Sequence, residues 1–261
     1  MIAVALTVAG SDSGGGAGIQ ADLKTFHLFG VFGTSVVTAV TAQNTQRVYA
    51  WEAVSPALIT AQLDALAADL RPDALKSGML GGPAAVKAIA AGIKRHAFTP
   101  YVLDPVMVAT SGDALAAEGP PKAIVEQLLP LATLVTPNLD EAERLTGLKV
   151  RDIAAMEAAA RELVRLGARA ALVKGGHLDG LEVADVLFDG SAIRVYRGPR
   201  LESTSTHGTG CALSAAITAQ LARGKALDIA VERALSFVHD AISTAPKLGS
   251  GHGPLNFFAV D

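Results

Sequence analysis

Short apolar runs rich in Val, Leu and Ile alternate along this chain with longer stretches whose apolar residues recur every three to four positions. Residues 3–9, AVALTVA, read as a buried strand, and 17–30, AGIQADLKTFHLFG, as a helix ending on Gly30. A strand-like stretch follows at 33–44, and residues 47–54 alternate as an edge strand or flap does. A helix is predicted over 56–70, with Leu58, Ile59, Leu63, Leu66 and Leu70 on one apolar stripe. Strands at 73–80, 101–108 and 132–138 alternate with helices at 84–96 and at LDEAERLTG (139–147). A helix at 153–167 and a strand at 168–176 come next, then a hairpin at 182–198 turning at Asp189-Gly190. Long helices at 208–222 and 226–245 precede a loose tail, GSGHGPLNFF. Repeated strand–helix alternation predicts an α/β protein with a mostly parallel central sheet and helices on both faces. No Pro- or Ser-rich linker, low-complexity tract or repeat interrupts the pattern, so residues 1–261 read as a single domain.

Composition narrows the class. Half of the residues (50%) are hydrophobic, enough for a sizeable core. The apolar runs stay well short of the ~18 residues of a membrane span. The N-terminal MIAVALTVAGSDS has no basic leader and reads as the first strand, not a signal peptide. The 22 basic and 25 acidic residues are well mixed, giving a net charge of −3. Neither a nucleic-acid face nor a basic membrane anchor is indicated. One cysteine, Cys211, excludes an internal disulfide framework and a cysteine-based zinc site, and a cytoplasmic location is expected.

The polar residues carry the functional signal by their position. Gly10 to Asp12, Gln43 to Asn44, Ser77 to Met79, Asp104, Thr136 to Asn138 and Lys174 to Gly176 each end an apolar strand run. If the strands are parallel, these groups line one edge of the sheet, where open α/β sheets bind ligands. GSDSGGGAG (10–18) fails the dinucleotide fingerprint, since Gly14 and Gly16 would need a third glycine where Ile19 stands. It also lacks the Lys-Ser/Thr of a Walker loop and is expected to pass its backbone close to a small ligand. In THGTGC (206–211), successive N–H groups at a helix start suit an anion. The cysteine there is either a packing residue or a thiol that the helix end favours as a thiolate. Asn138 and Glu141, three apart at a strand-to-helix junction, can face one point and hold a hydrated Mg2+, or simply start a helix. Lys174 beside two glycines suits a phosphate. Asp104 is either a turn former or part of a metal shell, and His207 a cap or a catalytic group.

Taken together, AGSDSGGGAGIQADLKTF, TAVTAQNT, KSGML, LDPVMVATSGD, TPNLDEAERLTG, VKGGH, STHGTGCALSAAI and GSGHGPLNFF resemble the hydroxymethylpyrimidine/phosphomethylpyrimidine kinase family of thiamine biosynthesis, within the ribokinase-like superfamily. The resemblance runs from residue 9 to 258. It implies a three-layer α/β/α fold with a small flap, ATP and Mg2+ as co-substrate and cofactor, and a homodimer. It implies phosphorylation of 4-amino-5-hydroxymethyl-2-methylpyrimidine to its monophosphate and then its diphosphate, with a pyridoxine/pyridoxal kinase as the alternative. The pyrimidine pocket maps onto Gly10, Asp22, Gln43, Met79, Val106 and Cys211. ATP maps onto Asn138, Lys174, Gly176, Thr206, His207 and Thr209, and Mg2+ onto Asp104, Asn138 and Glu141 through water, since Mg2+ keeps part of its hydration shell. Gly208, Thr209 and Gly210 would stabilise the transferring phosphoryl with Lys174, and Cys211 would act as general base for the first step after a downward shift of its pKa.

Overall fold

The structure, a computed structural model, describes residues 2–107, 120–176 and 180–258. Val108 of the expected strand, the ATSGD of LDPVMVATSGD and His177 of VKGGH lie outside the described residues. The chain runs β1 (Val4–Ala9), α1 (Gly18–Leu28), β2 (Phe32–Val37), β3 (Ala39–Gln43), β4 (Val48–Ala53), α2 (Pro56–Asp69), β5 (Ala74–Ser77) and α3 (Pro83–His96). It continues through β6 (Tyr101–Leu103), α4 (Pro120–Ala123), β7 (Leu134–Val135), α5 (Leu139–Thr146), α6 (Ile153–Arg165) and β8 (Ala171–Val173). The hairpin β9 (Glu182–Phe188) and β10 (Ile193–Pro199) leads into α7 (Thr209–Ala222) and α8 (Leu227–Ser243).

Among the described residues eight strands form one sheet in the order β10-β9-β8-β7-β6-β5-β1-β2, and β3 and β4 form a separate antiparallel pair. Strands β1, β2 and β5 to β8 are parallel, while β9 runs antiparallel to β8 and to β10. The final hairpin turns where expected because the Asp189 carboxylate accepts from Ser191 N at 2.9 Å and Ala192 N at 2.8 Å. The parallel strands are apolar on both faces because both are covered. Leu6, Val8, Leu75, Leu103 and Val135 pack with α2, α3, α5 and α6 on one side. Val102, Leu134, Leu172 and Leu187 pack with α7 and α8 on the other. Helix α7 carries Ala212, Ala215, Ala216 and Ala219, all fully buried, so it lies close to the sheet beneath α1 and α8.

Four readings change. The stretch 33–44 is two strands: at Thr38 the chain leaves the main sheet, with Thr38 N donating to Ala9 O at 3.0 Å and its hydroxyl to Met79 O at 2.6 Å. Gln43 therefore ends a flap strand and not a sheet strand. On α2 only Ile59 and Leu63 of the expected stripe are fully buried, while Leu58 and Leu70 are exposed. Leu58 precedes Ile59 and so points about 100° away from it on the helix. The sequence pattern assigned no element to the segment from Pro120 to Leu131. There α4 runs on through a π turn (Ile124–Leu128) and a 3-10 turn (Leu129–Leu131). The tail is not loose, since its backbone is hydrogen-bonded to three separate parts of the chain.

Candidate active site

The anion turn is built by glycine. Gly208, the N-cap of α7, has φ +81°, and a Cβ there would lie 1.9 Å from Gly16 O. The first-turn N–H groups of α7 have no intrahelical partners and open toward the carboxyl edge of the sheet. A Cβ on Gly210 would lie 3.2 Å from Lys174 Nζ and 3.8 Å from Asp104 Oδ2, so the turn sits against that pair. Thr209 spends its hydroxyl on Thr206 O at 2.8 Å, which closes the turn.

The strand-end residues converge as the parallel sheet requires. Lys174 Nζ is 3.2 Å from Asp104 Oδ1, and Asp104 also accepts from Thr136 Oγ1 and Ser214 Oγ at 3.3 Å each. Asn138 and Glu141 form a reciprocal capping box: each side chain accepts from the other's backbone N–H at 2.8 Å. The helix-start reading therefore holds for this pair. Burial pushes the Glu141 carboxyl up to about 7, opposed by Lys174 and reinforced by Asp104. Lys174 stays charged: burial opposes its charge, but Asp104 and Glu141 outweigh it and hold the ammonium above its usual range. Gly175 lies so close to β9 that a Cβ would meet Ala184 O at 2.0 Å, and its N–H bonds Asp185 Oδ1 at 2.9 Å. Gly176 reaches the cleft wall and gives its carbonyl to Arg200 Nη1 at 2.8 Å.

The first glycine turn folds around its own carboxylate. Asp12 is fully buried and accepts from Gly14 N, Gly16 N and Ala17 N at 2.7, 2.9 and 2.7 Å. His207 Nε2 completes the set at 2.9 Å. Burial works against this charge, but the His207 bond and the backbone N–H groups outweigh it and hold Asp12 below the usual carboxylate range. His207 thus ties the two glycine turns together. The same loop clamps the flap: Ser11 Oγ accepts from Thr41 N at 3.1 Å, and Ser13 Oγ accepts from Gln43 N at 2.8 Å and donates to Gln43 O at 2.6 Å. Under the flap, Ala39, Met79, Val48, Trp51 and Val106 form an apolar cluster. Gly10 closes it from below, its N–H donating to Met79 O at 3.1 Å.

Two expectations are corrected here. Asp22 does not line the cleft; it is fully buried, 2.8 Å from the equally buried Lys76 Nζ and accepting from Thr7 Oγ1 at 2.6 Å. Lys76 Nζ in turn reaches Cys211 O at 3.5 Å. Burial opposes the Lys76 charge, but Asp22, then Cys211 and Asp104, hold its ammonium above the ordinary range. The expected downward shift of Cys211 is reversed. Burial pushes this thiol up to about 12 against the smaller pull of Lys76, so it is neutral at neutral pH. Desolvation here outweighs both the helix end and the Lys76 ammonium. Lys76, Asp185 and Ser214 were not singled out from the sequence, and Ser11 and Ser13 only as part of the first glycine turn. Lys76 and Asp185 did leave a signal, each a charge inside a buried apolar strand.

All of this opens into one cleft of about 960 Å3, lined by Gly10, Gln43, Met79, Val106, Asp104, Asn138, Glu141, Lys174 and the 206–211 turn. Its far wall is Tyr196 and Arg197 of β10 against Leu235 and His239 of α8. The chain superposes on the pyridoxal kinase of Bacillus subtilis, solved as an ADP complex, with a TM-score of 0.90 and 36% identity, covering 98% of this chain and 97% of that one. The fold is that of the ribokinase-like class of small-molecule kinases.

A family model described as phosphomethylpyrimidine kinase matches residues 12–256. The hydroxymethylpyrimidine/phosphomethylpyrimidine kinase of Rhizobium meliloti is 52% identical over 99% of this chain and 98% of its own length. A thiamine biosynthesis bifunctional protein of Geobacter sulfurreducens is 51% identical over 96% of this chain and 51% of its own length. The chain belongs to the phosphomethylpyrimidine kinase family.

Proposed function

We propose that the protein transfers the γ-phosphoryl group of ATP first to the hydroxymethyl oxygen of 4-amino-5-hydroxymethyl-2-methylpyrimidine and then to the phosphate so formed, in thiamine biosynthesis. The observation that carries this reading is the pairing, in one cleft, of the Lys174-backed anion turn with the apolar pocket of Met79 and Val106 beneath Gln43. In each step the bond from the γ-phosphorus to the β,γ-bridging oxygen breaks, a bond to the acceptor oxygen forms, and ADP leaves. Such transfer needs positioning and charge stabilisation more than covalent help. The N–H groups of Gly208 and Gly210 and the Lys174 ammonium would receive the charge on the phosphoryl oxygens, while the Thr209 N–H, expected to join them, donates to Thr206 O at 3.3 Å. With Cys211 neutral, the alcohol proton leaves late, to phosphoryl oxygen or water, and Cys211 forms part of the acceptor wall.

Mg2+ belongs to the same proposal. Among the described residues no group of three or more His, Cys, Asp and Glu makes a closed metal cage. Two buried carboxylates, Asp104 and Glu141, do share the single Lys174, and the excess negative charge fits a cation held through water and substrate phosphates. Asp104, Glu141 and Asn138 would hold it, and it would neutralise charge on the β- and γ-phosphates. His207 and Thr209, expected at ATP, support the turn by bonding Asp12 and Thr206. A homodimer is supported by Val40 and Tyr49, large apolar side chains exposed on the flap. No helix among the described residues is long and apolar enough to cross a membrane, and a cytoplasmic site fits the free thiol. The deciding experiment measures ADP release with hydroxymethylpyrimidine and with pyridoxine, followed by mass analysis. Mono- and diphosphate of the pyrimidine are expected, and faster turnover of pyridoxine would replace this reading.

A further inference from the structure

The segment Ser250–Pro254 bonds to both halves of the cleft. On one side it is stitched to the turn between β3 and β4. There His252 N donates to Thr45 O at 2.8 Å, Gly251 N to Thr45 Oγ1 at 3.3 Å, and Gln46 Nε2 to Ser250 Oγ at 2.6 Å. On the other side it holds the anion turn. His207 N donates to Gly253 O at 3.1 Å, Gly253 N to Thr204 O at 3.2 Å, and His207 and Pro254 pair as a parallel bridge. A ring of bonds closes through His207 to Asp12, and from the Asp12 loop through Ser11 and Ser13 back to the flap.

The contacts leave no slack. A Cβ on Gly251 would lie 2.1 Å from Thr45 O, and one on Gly253 would lie 2.8 Å from Ser205 Oγ. The flap itself is only a two-stranded pair, which has little stability of its own in water, so its position is set by what it is tied to. A pyrimidine seated against Gln43 and Met79 fixes the flap, and through Thr45 and the tail the same displacement acts on the turn at His207. A nucleotide that settles on the turn acts on the flap by the reverse route.

We propose that Ser250–Pro254 is a positioning strap that couples the flap over the acceptor pocket to the anion turn, so that acceptor and nucleotide bind synergistically. The strap rests on the kinase reading above. It assigns Gly251, Thr45 and Gln46 as residues that act through others and touch neither substrate.

Calorimetric titration of the whole chain tests it, with a non-hydrolysable ATP analogue in the absence and presence of saturating hydroxymethylpyrimidine. In the wild type the pyrimidine tightens the analogue about fivefold or more, and the analogue tightens the pyrimidine by the same factor, as linkage demands. In Gly251→Ala each ligand alone binds within about twofold of wild type, while the coupling factor falls toward one. Gln46→Ala, on an exposed turn, removes one bond of the strap and gives an intermediate factor; it decides the matter if Gly251→Ala does not fold. An undiminished factor in the folded variants, or no coupling in the wild type, overturns the strap while both ligands still bind. If the pyrimidine does not bind the wild type at all, the kinase reading fails and the strap with it.

Discussion

Cys211 sits at the start of α7, where a helix end ordinarily lowers a thiol pKa, yet burial there raises it to about 12. Lys76 pulls the thiol pKa down while Asp22 and Asp104 push it up, so the nearby charges largely cancel and desolvation wins. Cys211→Ala should therefore lower kcat/KM for both phosphorylations by a similar factor, about tenfold, by enlarging the acceptor pocket. Assays with each purified substrate check this, and a loss confined to the alcohol step would restore the cysteine as a base. Glu141 shows the same balance, a carboxyl whose burial outweighs the pull of Lys174. Its folded pKa of about 7 lies above the ordinary 4.5, so burial favours the protonated form. The stability from that proton is fully present below pH 4.5 and is lost as pH rises through about 7. Glu141→Gln keeps the capping box and removes that loss. In mildly alkaline buffer without Mg2+ it should melt above the wild type by the equivalent of about 1–3 kcal/mol, and the gain should vanish at acid pH. The same variant should need more Mg2+ for half-maximal rate, and an unchanged Mg2+ titration would remove Glu141 from the metal shell.

Strand β5, helix α1 and the first turn of α7 meet at the Lys76–Asp22 pair, and this junction sets the floor of the site. Both side chains are fully buried, so removing one leaves a charge without a partner. Lys76→Met should cost about 3–5 kcal/mol in denaturant unfolding, and adding Asp22→Leu should recover much of it. If the single variant unfolds like the wild type, Asp22 is neutral in the fold and the pair is not ionic. The first glycine loop shows why element-level reading stops short. Its turn and the following helix are legible from residues 10–30, but the cradle of N–H groups is filled by Asp12 from the same loop. Its bonds with flap residues Thr41 and Gln43 join positions 30 apart in the chain. The break at Thr38 escaped for a related reason. The apolar, β-branched pattern continues across it, and only acceptors on Ala9 and Met79 make the bend.

Across the molecule, strand–helix alternation brings Asp104, Asn138 and Lys174 to one edge, while the flap and the tail supply the opposite rim. The exposed Val40 and Tyr49 predict self-association through the flap. Sedimentation equilibrium should give twice the 26.6 kDa chain mass. Lys or Glu at Val40 should return the chain to a monomer, because a charge placed in an apolar contact must be desolvated. A monomer in the unaltered protein would sink this part of the proposal.

Period and punctuation alone settle the order of elements, the parallel sheet and the edge where polar strand ends gather, because each follows from how a backbone of that pattern must bury its apolar side chains. The pairing of Asn138 with Glu141 is equally local, a consequence of helical spacing. The ionisation of Cys211, the withdrawal of Asp22 from the cleft and the fastening of the tail are not of this kind. Each depends on groups remote in the chain: Lys76 and Asp104 for the thiol, Lys76 for Asp22, Thr45 and His207 for the tail. Desolvation and long-range hydrogen bonds are properties of what lies across a packed interior, and no local spacing of residues encodes them.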